Sequence, residues 1–137
     1  MTKLSDLRDT HYRGISDNDL DLAASVFSEA VVTSTPQGVL EGLAAFREFG
    51  EAFMKASPDA TIRAERTFEA GDTIITEGNY TGTHTGDLVG PGQTIPASGR
   101  SFSFPFVDVM EFSDGKCTNH RIYWDMLGFM AQLGVMG

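Results

Sequence analysis

The chain predicts an α+β domain with helices first and a β-meander after them, and three observations carry that prediction. Apolar residues recur at helical spacing up to about residue 55. From about residue 60 they alternate with a period of two. Short turns rich in Gly, Pro and Asp punctuate that second half. The 137 residues suit a single domain over 1–137. A chain of this size buries roughly two thirds of its unfolded surface, enough for a core and one small-molecule pocket.

Leu4, Leu7, His11, Tyr12 and Ile15 fall on one face of a first helix. Asp17-Asn18-Asp19 supplies cap residues for a second, carrying Leu20, Ala23, Ala24 and Phe27. Val31 to Thr35 is β-branched, turns at Pro36-Gln37-Gly38 and returns through Val39-Leu40, a short hairpin. Leu43, Phe46, Phe49, Phe53 and Met54, interleaved with charges, predict a longer amphipathic helix that Ser57-Pro58-Asp59 stops. Strands follow near 60–70, 73–84, 99–112 and 116–125, and a last helix from Met126. Gly86 to Gly99, with Pro91 and Pro96, has the composition of an ordered surface loop or lid.

Asp114-Gly115 between two strand patterns predicts a type I′ hairpin, because both central positions need positive φ. With those two residues as the turn, Phe112 faces Cys117, Met110 faces Asn119, Asp108 faces Arg121, Phe106 faces Tyr123 and Phe104 faces Asp125. One sheet face then holds an apolar wall of Phe104, Phe106, Met110 and Phe112, with Asp108, Arg121, Tyr123 and Asp125 set into it. Asp108 has Arg121 as partner. Asp125 has none, so its carboxyl should have a raised pKa, the property a general acid or base needs; Asp125 also suits the N-cap of the helix at Met126. The other face carries Val107, Val109, Glu111, His120, Ile122 and Trp124, apolar enough to predict a homodimer contact. A bulge or a three-residue turn would reverse the faces. The earlier hairpin, turning at Gly71-Asp72, pairs Phe68 with Ile75 and Arg66 with Glu77.

A formal charge of −9 argues against a nucleic-acid partner. The single Cys117 excludes a disulfide framework and fits a reducing, cytoplasmic setting. The N-terminus lacks a signal-peptide pattern, and no apolar run reaches the ~18 residues of a membrane span. The scattered His11, His84 and His120 predict no metal site, and neither a phosphate-binding nor a dinucleotide-binding glycine motif is present. Carboxylate, imidazole and phenol chemistry remain. His84 divides between a loop histidine and a residue at the pocket mouth, while Tyr12 and Phe53 complete the predicted substrate-binding set with His84, Phe104, Phe106, Met110 and Tyr123.

The runs Gly82-Thr83-His84-Thr85-Gly86-Asp87-Leu88, Ile95-Pro96-Ala97-Ser98-Gly99-Arg100, Asp108-Val109, Asp114-Gly115-Lys116 and His120-Arg121-Ile122-Tyr123-Trp124-Asp125, with Gln132-Leu133-Gly134, resemble the SnoaL-like polyketide cyclases of the nuclear transport factor 2-like superfamily. The resemblance covers nearly the whole chain. It implies a cone-shaped α+β fold and an intramolecular aldol condensation that closes a polyketide ring without metal or organic cofactor. It also implies that Asp125 is the general acid/base. The family's pocket histidine on the strand before the Asp-Gly turn has no counterpart in Asp108-Val109-Met110-Glu111-Phe112, which leaves Arg121 or Tyr123 for the developing negative charge.

Three functions are therefore expected candidates. The first is a cofactor-free cyclase, isomerase or lyase acting on a small apolar carbonyl compound, with Asp125 as proton carrier and Asp108, Arg121 and Tyr123 positioning it. The second is a non-catalytic module that binds a hydrophobic ligand. The third is an epoxide hydrolase or dehydratase variant built on Asp108, Arg121 and Asp125.

Overall fold

The computed structural model describes residues 3–135. Helix α1 (Leu4–Ser16) and the short α2 (Leu20–Ala24) lead into the hairpin of β1 (Phe27–Thr35) and β2 (Gly38–Glu41), followed by α3 (Leu43–Ala56). Strands β3 (Thr61–Ala70) and β4 (Thr73–Thr83), the small pair β5 (Leu88–Gly90) and β6 (Gln93–Ile95), the long β7 (Ser101–Ser113) and β8 (Lys116–Trp124), and α4 (Met126–Gln132) complete the chain. The expected order of helices and strands holds. Phe27 departs from expectation: α2 ends at Ala24, and Phe27 opens β1 on the buried side.

Six strands form one sheet in the order β2-β1-β8-β7-β4-β3. All its neighbours are antiparallel except β1 and β8, which run parallel. The β3–β4 hairpin pairs Arg66 with Glu77 and Phe68 with Ile75, as the turn at Gly71-Asp72 predicts. Asp114 (φ 52°) and Gly115 (φ 78°) both take the positive φ that a type I′ turn demands.

Beyond that turn the register differs from the simple count. Phe112 faces Cys117 as expected, but Glu111 faces Asn119, so Thr118 is an extra residue on β8. From there Met110 faces His120, Asp108 faces Ile122 and Phe106 faces Trp124. Because side chains alternate faces, one bulged residue turns His120, Ile122 and Trp124 inward and sends Arg121 and Tyr123 outward. The outer face accordingly carries Val107, Val109, Glu111, Arg121 and Tyr123. Two of the apolar residues on which the homodimer expectation rested point the other way.

The helices cover the inner face over two apolar clusters. One gathers Phe27, Val31, Phe46, Ile74, Met110 and Phe112; the other gathers Ala56, Leu88, Ile95, Phe102, Phe104 and Phe129. The 86–99 segment is thus tied into the core through Leu88 and Ile95, and Gly86 N–H donates to the Ala56 carbonyl at 2.9 Å. Gly14 is where α1 meets α2: a Cβ there would lie 2.2 Å from the Ala23 nitrogen. That closeness presents α1 to the sheet with His11 and Tyr12 buried.

Candidate active site

Between the two clusters lies a cavity of about 90 Å³, walled by α1, α3 and the inner face of the sheet. Its lining is aromatic and aliphatic, with Phe46, Phe49, Phe53, Phe104, Phe106 and Trp124 prominent. Polar side chains interrupt it at His11, Asp108 and His120, with the Tyr80 phenol a fourth.

Asp108 is the centre of that polar set and is 1% exposed. Strand β7 points it inward with Phe106 and Met110, and the bulge brings His120 to the same face. His120 Nε2 lies 2.6 Å from Asp108 Oδ1. Tyr12 Oη donates to the other oxygen, Oδ2, at 2.7 Å. Burial pushes the Asp108 carboxyl up, yet the charge and hydrogen bond of His120, His11 nearby and the Tyr12 hydroxyl outweigh it and hold the group below its ordinary value. Asp108 is therefore a carboxylate at neutral pH, and Nε2 of His120 must be the donor between them. Nδ1 of His120 is buried without a hydrogen-bond partner.

Tyr12 and His11 are adjacent on α1, and successive helical residues point about a quarter turn apart. Tyr12 thereby reaches Asp108, while His11 Nδ1 donates to the Ala23 carbonyl at 2.7 Å and its ring meets His120 edge-on at 6.0 Å between centroids. Burial first, and the charge of His120 second, lower the His11 pKa to about 4. It is a neutral imidazole whose Nε2 is an acceptor. Burial, with the Asp108 charge, also raises the Tyr12 hydroxyl well above the ordinary phenol value, so it stays a donor. Burial pushes the Cys117 thiol up to about 12, which removes it as a nucleophile. Among the described residues, no group of three or more His, Cys, Asp or Glu is placed to hold a metal ion.

The expected site residues divide. Asp108, Phe53, Phe104 and Phe106 line the cavity, and Tyr12 joins it through Asp108. Arg121 sits on the outer face, half-buried and bonded to Glu111, because Thr118 shifts its parity. Tyr123 is 53% exposed for the same reason. Asp125 is exposed and caps α4, with Oδ1 accepting from Gly128 N–H at 2.9 Å; one residue past the end of β8, it lies outside the cavity. Met110 belongs to the cluster behind Asp108, not to the cavity wall. His84 is buried in the 86–99 corner, where its Nδ1 lies 2.9 Å from Ser98 Oγ. An acid-base-acid set of Asp108, Arg121 and Asp125 does not assemble.

Sequence reasoning missed His11, His120 and Trp124 as cavity residues. The signal was present: the inward residues Cys117, His120, Ile122 and Trp124 are spaced three, two and two, and a three-residue step in a period-two pattern marks a bulge.

A family model described as SnoaL-like polyketide cyclase matches residues 5–133. Aklanonic acid methyl ester cyclase DnrD of Streptomyces peucetius is 43% identical over 53 residues, 39% of this chain. The chain spans only 34% of that relative's length. AclR, a putative hydroxylase from Streptomyces galilaeus, superposes with a TM-score of 0.83 at 21% identity, covering 97% of this chain and 96% of its own. A protein from Catenulispora acidiphila DSM 44928, described as having a ketosteroid isomerase-like fold, does so with a TM-score of 0.78 at 12% identity, covering 97% and 95%. These two likenesses bear on fold alone, and they bear out the α+β expectation of helices packed on a mixed, mostly antiparallel sheet.

Proposed function

Because the chain belongs to the SnoaL-like polyketide cyclase family, we propose that it catalyses cofactor-free proton transfer at the carbon next to a carbonyl in a small, largely apolar, polyketide-like molecule, with the Asp108–His120 pair as proton carrier. One observation carries this reading. A fully buried carboxylate, hydrogen-bonded by an imidazole and a phenol, lies in the wall of an otherwise aromatic cavity. A protein does not bury such a charge cheaply, and perturbed groups of this kind cluster where proton transfer is performed.

The chemistry follows from the parts. An apolar wall excludes water and strengthens every electrostatic interaction inside it. The pair takes a proton from the activated carbon, and that proton belongs to Asp108 and His120 jointly. The Tyr12 hydroxyl holds the carboxylate in place. The resulting enolate attacks a second carbonyl of the same molecule in the aldol sense, and the pair returns the proton to the new oxygen. The cavity of about 90 Å³ is smaller than the ~150 Å³ that accepts a benzene ring, so a ring-sized substrate requires the half-buried Phe49, Phe53 and Met54 to swing aside.

The test is uptake of solvent deuterium at the α-carbon of candidate methyl ketones and β-keto esters, followed by NMR. Asp108→Asn should slow exchange by about 10²-fold or more. Equal exchange in the variant and the parent overturns the assignment. The same pair also suits loss of water β to a carbonyl, which appears in the same assay as a new conjugated chromophore. A ligand that co-purifies, is released unchanged and shows no exchange makes the protein a binding module.

A further inference from the structure

Arg8 is a charged side chain that the proton-transfer reading leaves unused, yet it is 5% exposed on the inward face of α1. One helical turn before Tyr12, its guanidinium carbon stands 5.4 Å from the centre of the Tyr12 ring. Its Nη1 donates to Thr76 Oγ1 at 2.6 Å and to Thr67 Oγ1 at 3.1 Å. Thr76 is the cross-strand partner of Asp108 on the β4–β7 ladder and is itself buried. A cation thus sits behind the carboxylate, reaching it through Tyr12 on one side and Thr76 on the other. Its counter-ion at the surface is Asp9, bonded to Nε at 2.8 Å, and Asp9 is 60% exposed, so water screens its charge. Toward the interior the Arg8 charge is not cancelled.

We propose that Arg8 is a positioning residue of the cavity, whose buried charge and bond to Thr76 set the proton affinity of the Asp108–His120 pair. A planar guanidinium suits this role because its fork holds two hydroxyls and stacks over an aromatic ring at once. The charged or titratable groups facing the pair are Arg8, His11 and Tyr12 from α1 and Cys117 from β8. His11 is neutral at physiological pH, and Tyr12 and Cys117 stay protonated. From β4 the pair meets the uncharged Thr76, and from α3 Phe46. Arg8 is therefore the fixed cation among them. Removing it favours the protonated form of the pair.

The inference rests on the pair being the proton carrier, but its test does not need turnover. The His120 ring signals of the full chain are followed by NMR against pH in the parent, Arg8→Met and Arg8→Lys. Loss of the buried positive charge in Arg8→Met raises the midpoint, and Arg8→Lys, which keeps the charge, moves it by less than half as much. A loss of packing alone would affect Lys and Met alike. Should Arg8→Met not fold, Thr76→Val retains the cation, cuts its shortest hydrogen bond and raises the midpoint by a smaller amount. Unchanged midpoints in the folded variants, or equal shifts in Lys and Met, overturn the proposal. A shifted midpoint without any deuterium exchange leaves it standing and instead removes the proton-transfer reading.

Discussion

His11→Asn is the sharpest probe of how burial shapes this site. The asparagine amide replaces the Nδ1 donor that meets the Ala23 carbonyl at 2.7 Å, and it removes the titrating ring. In the folded protein His11 takes a proton only near pH 4, against 6.5 for the ordinary residue. Between those values the unfolded chain binds a proton that the native state refuses, so stability falls as the pH is lowered from about 6.5 and stops falling below about 4. At about 1.4 kcal/mol per pH unit the full loss is roughly 3 kcal/mol, of which about 2 kcal/mol has occurred by pH 5. Asp108 works in the same direction but lower down. Its folded value is depressed, so its contribution is complete above the carboxylate range and is lost only as the pH falls through that lower value. The window from pH 7 to pH 5 therefore isolates histidines, and the contribution of His84, also lowered by burial, is common to both proteins. Urea unfolding at pH 7 and pH 5 should show the parent losing about 2 kcal/mol more than His11→Asn across that interval. Equal losses in the two proteins would refute the claim that His11 is held neutral.

Three further changes separate structure from function. Asp125→Ala removes the N-cap of α4 and should cost about 1 kcal/mol in urea unfolding, while α-carbon exchange at the Asp108–His120 pair stays at the parental rate; a collapse of exchange would restore Asp125 to the chemistry. Deleting Thr118 removes the one unpaired residue and leaves Glu111 opposite Asn119 and Met110 opposite His120, so His120, Ile122 and Trp124 stay inward and the far-ultraviolet circular dichroism of the folded sheet should be kept; a deletion that does not fold would mean that β8 needs the local twist of the bulge as well as its register. Gly14→Ala places a Cβ 2.2 Å from the Ala23 nitrogen; in an exposed helix the change would stabilise by about 1 kcal/mol, whereas here overpacking should destabilise by about 1–3 kcal/mol in the same urea assay.

Much of the fold was legible in residue pattern because the determinants were local. Leu43 through Met54 repeat at helical spacing in any context, and Asp114-Gly115 accepts positive φ at both positions, which few dipeptides do. The hairpin pairing of Arg66 with Glu77 followed from counting outward from one turn. The same counting failed on β8. Nothing in Thr118 itself marks it as the residue left unpaired; the bulge forms because it buries Cys117, His120, Ile122 and Trp124 together against the helices, a gain that belongs to the assembled sheet.

By itself, then, the sequence determined the order of helices and strands, the turns, the aromatic wall of Phe104 and Phe106, and the presence of Asp108 within it. Tertiary structure alone decided which polar groups meet that carboxylate. Tyr12 and Asp108 are 96 positions apart and join through one hydrogen bond, and His120 replaces Arg121 as the partner of Asp108 through a single extra residue. The physical reason is the strand's period of two. An alternating pattern states what each face contains, but a one-residue change of register exchanges the faces, and only packing against the other elements selects between them.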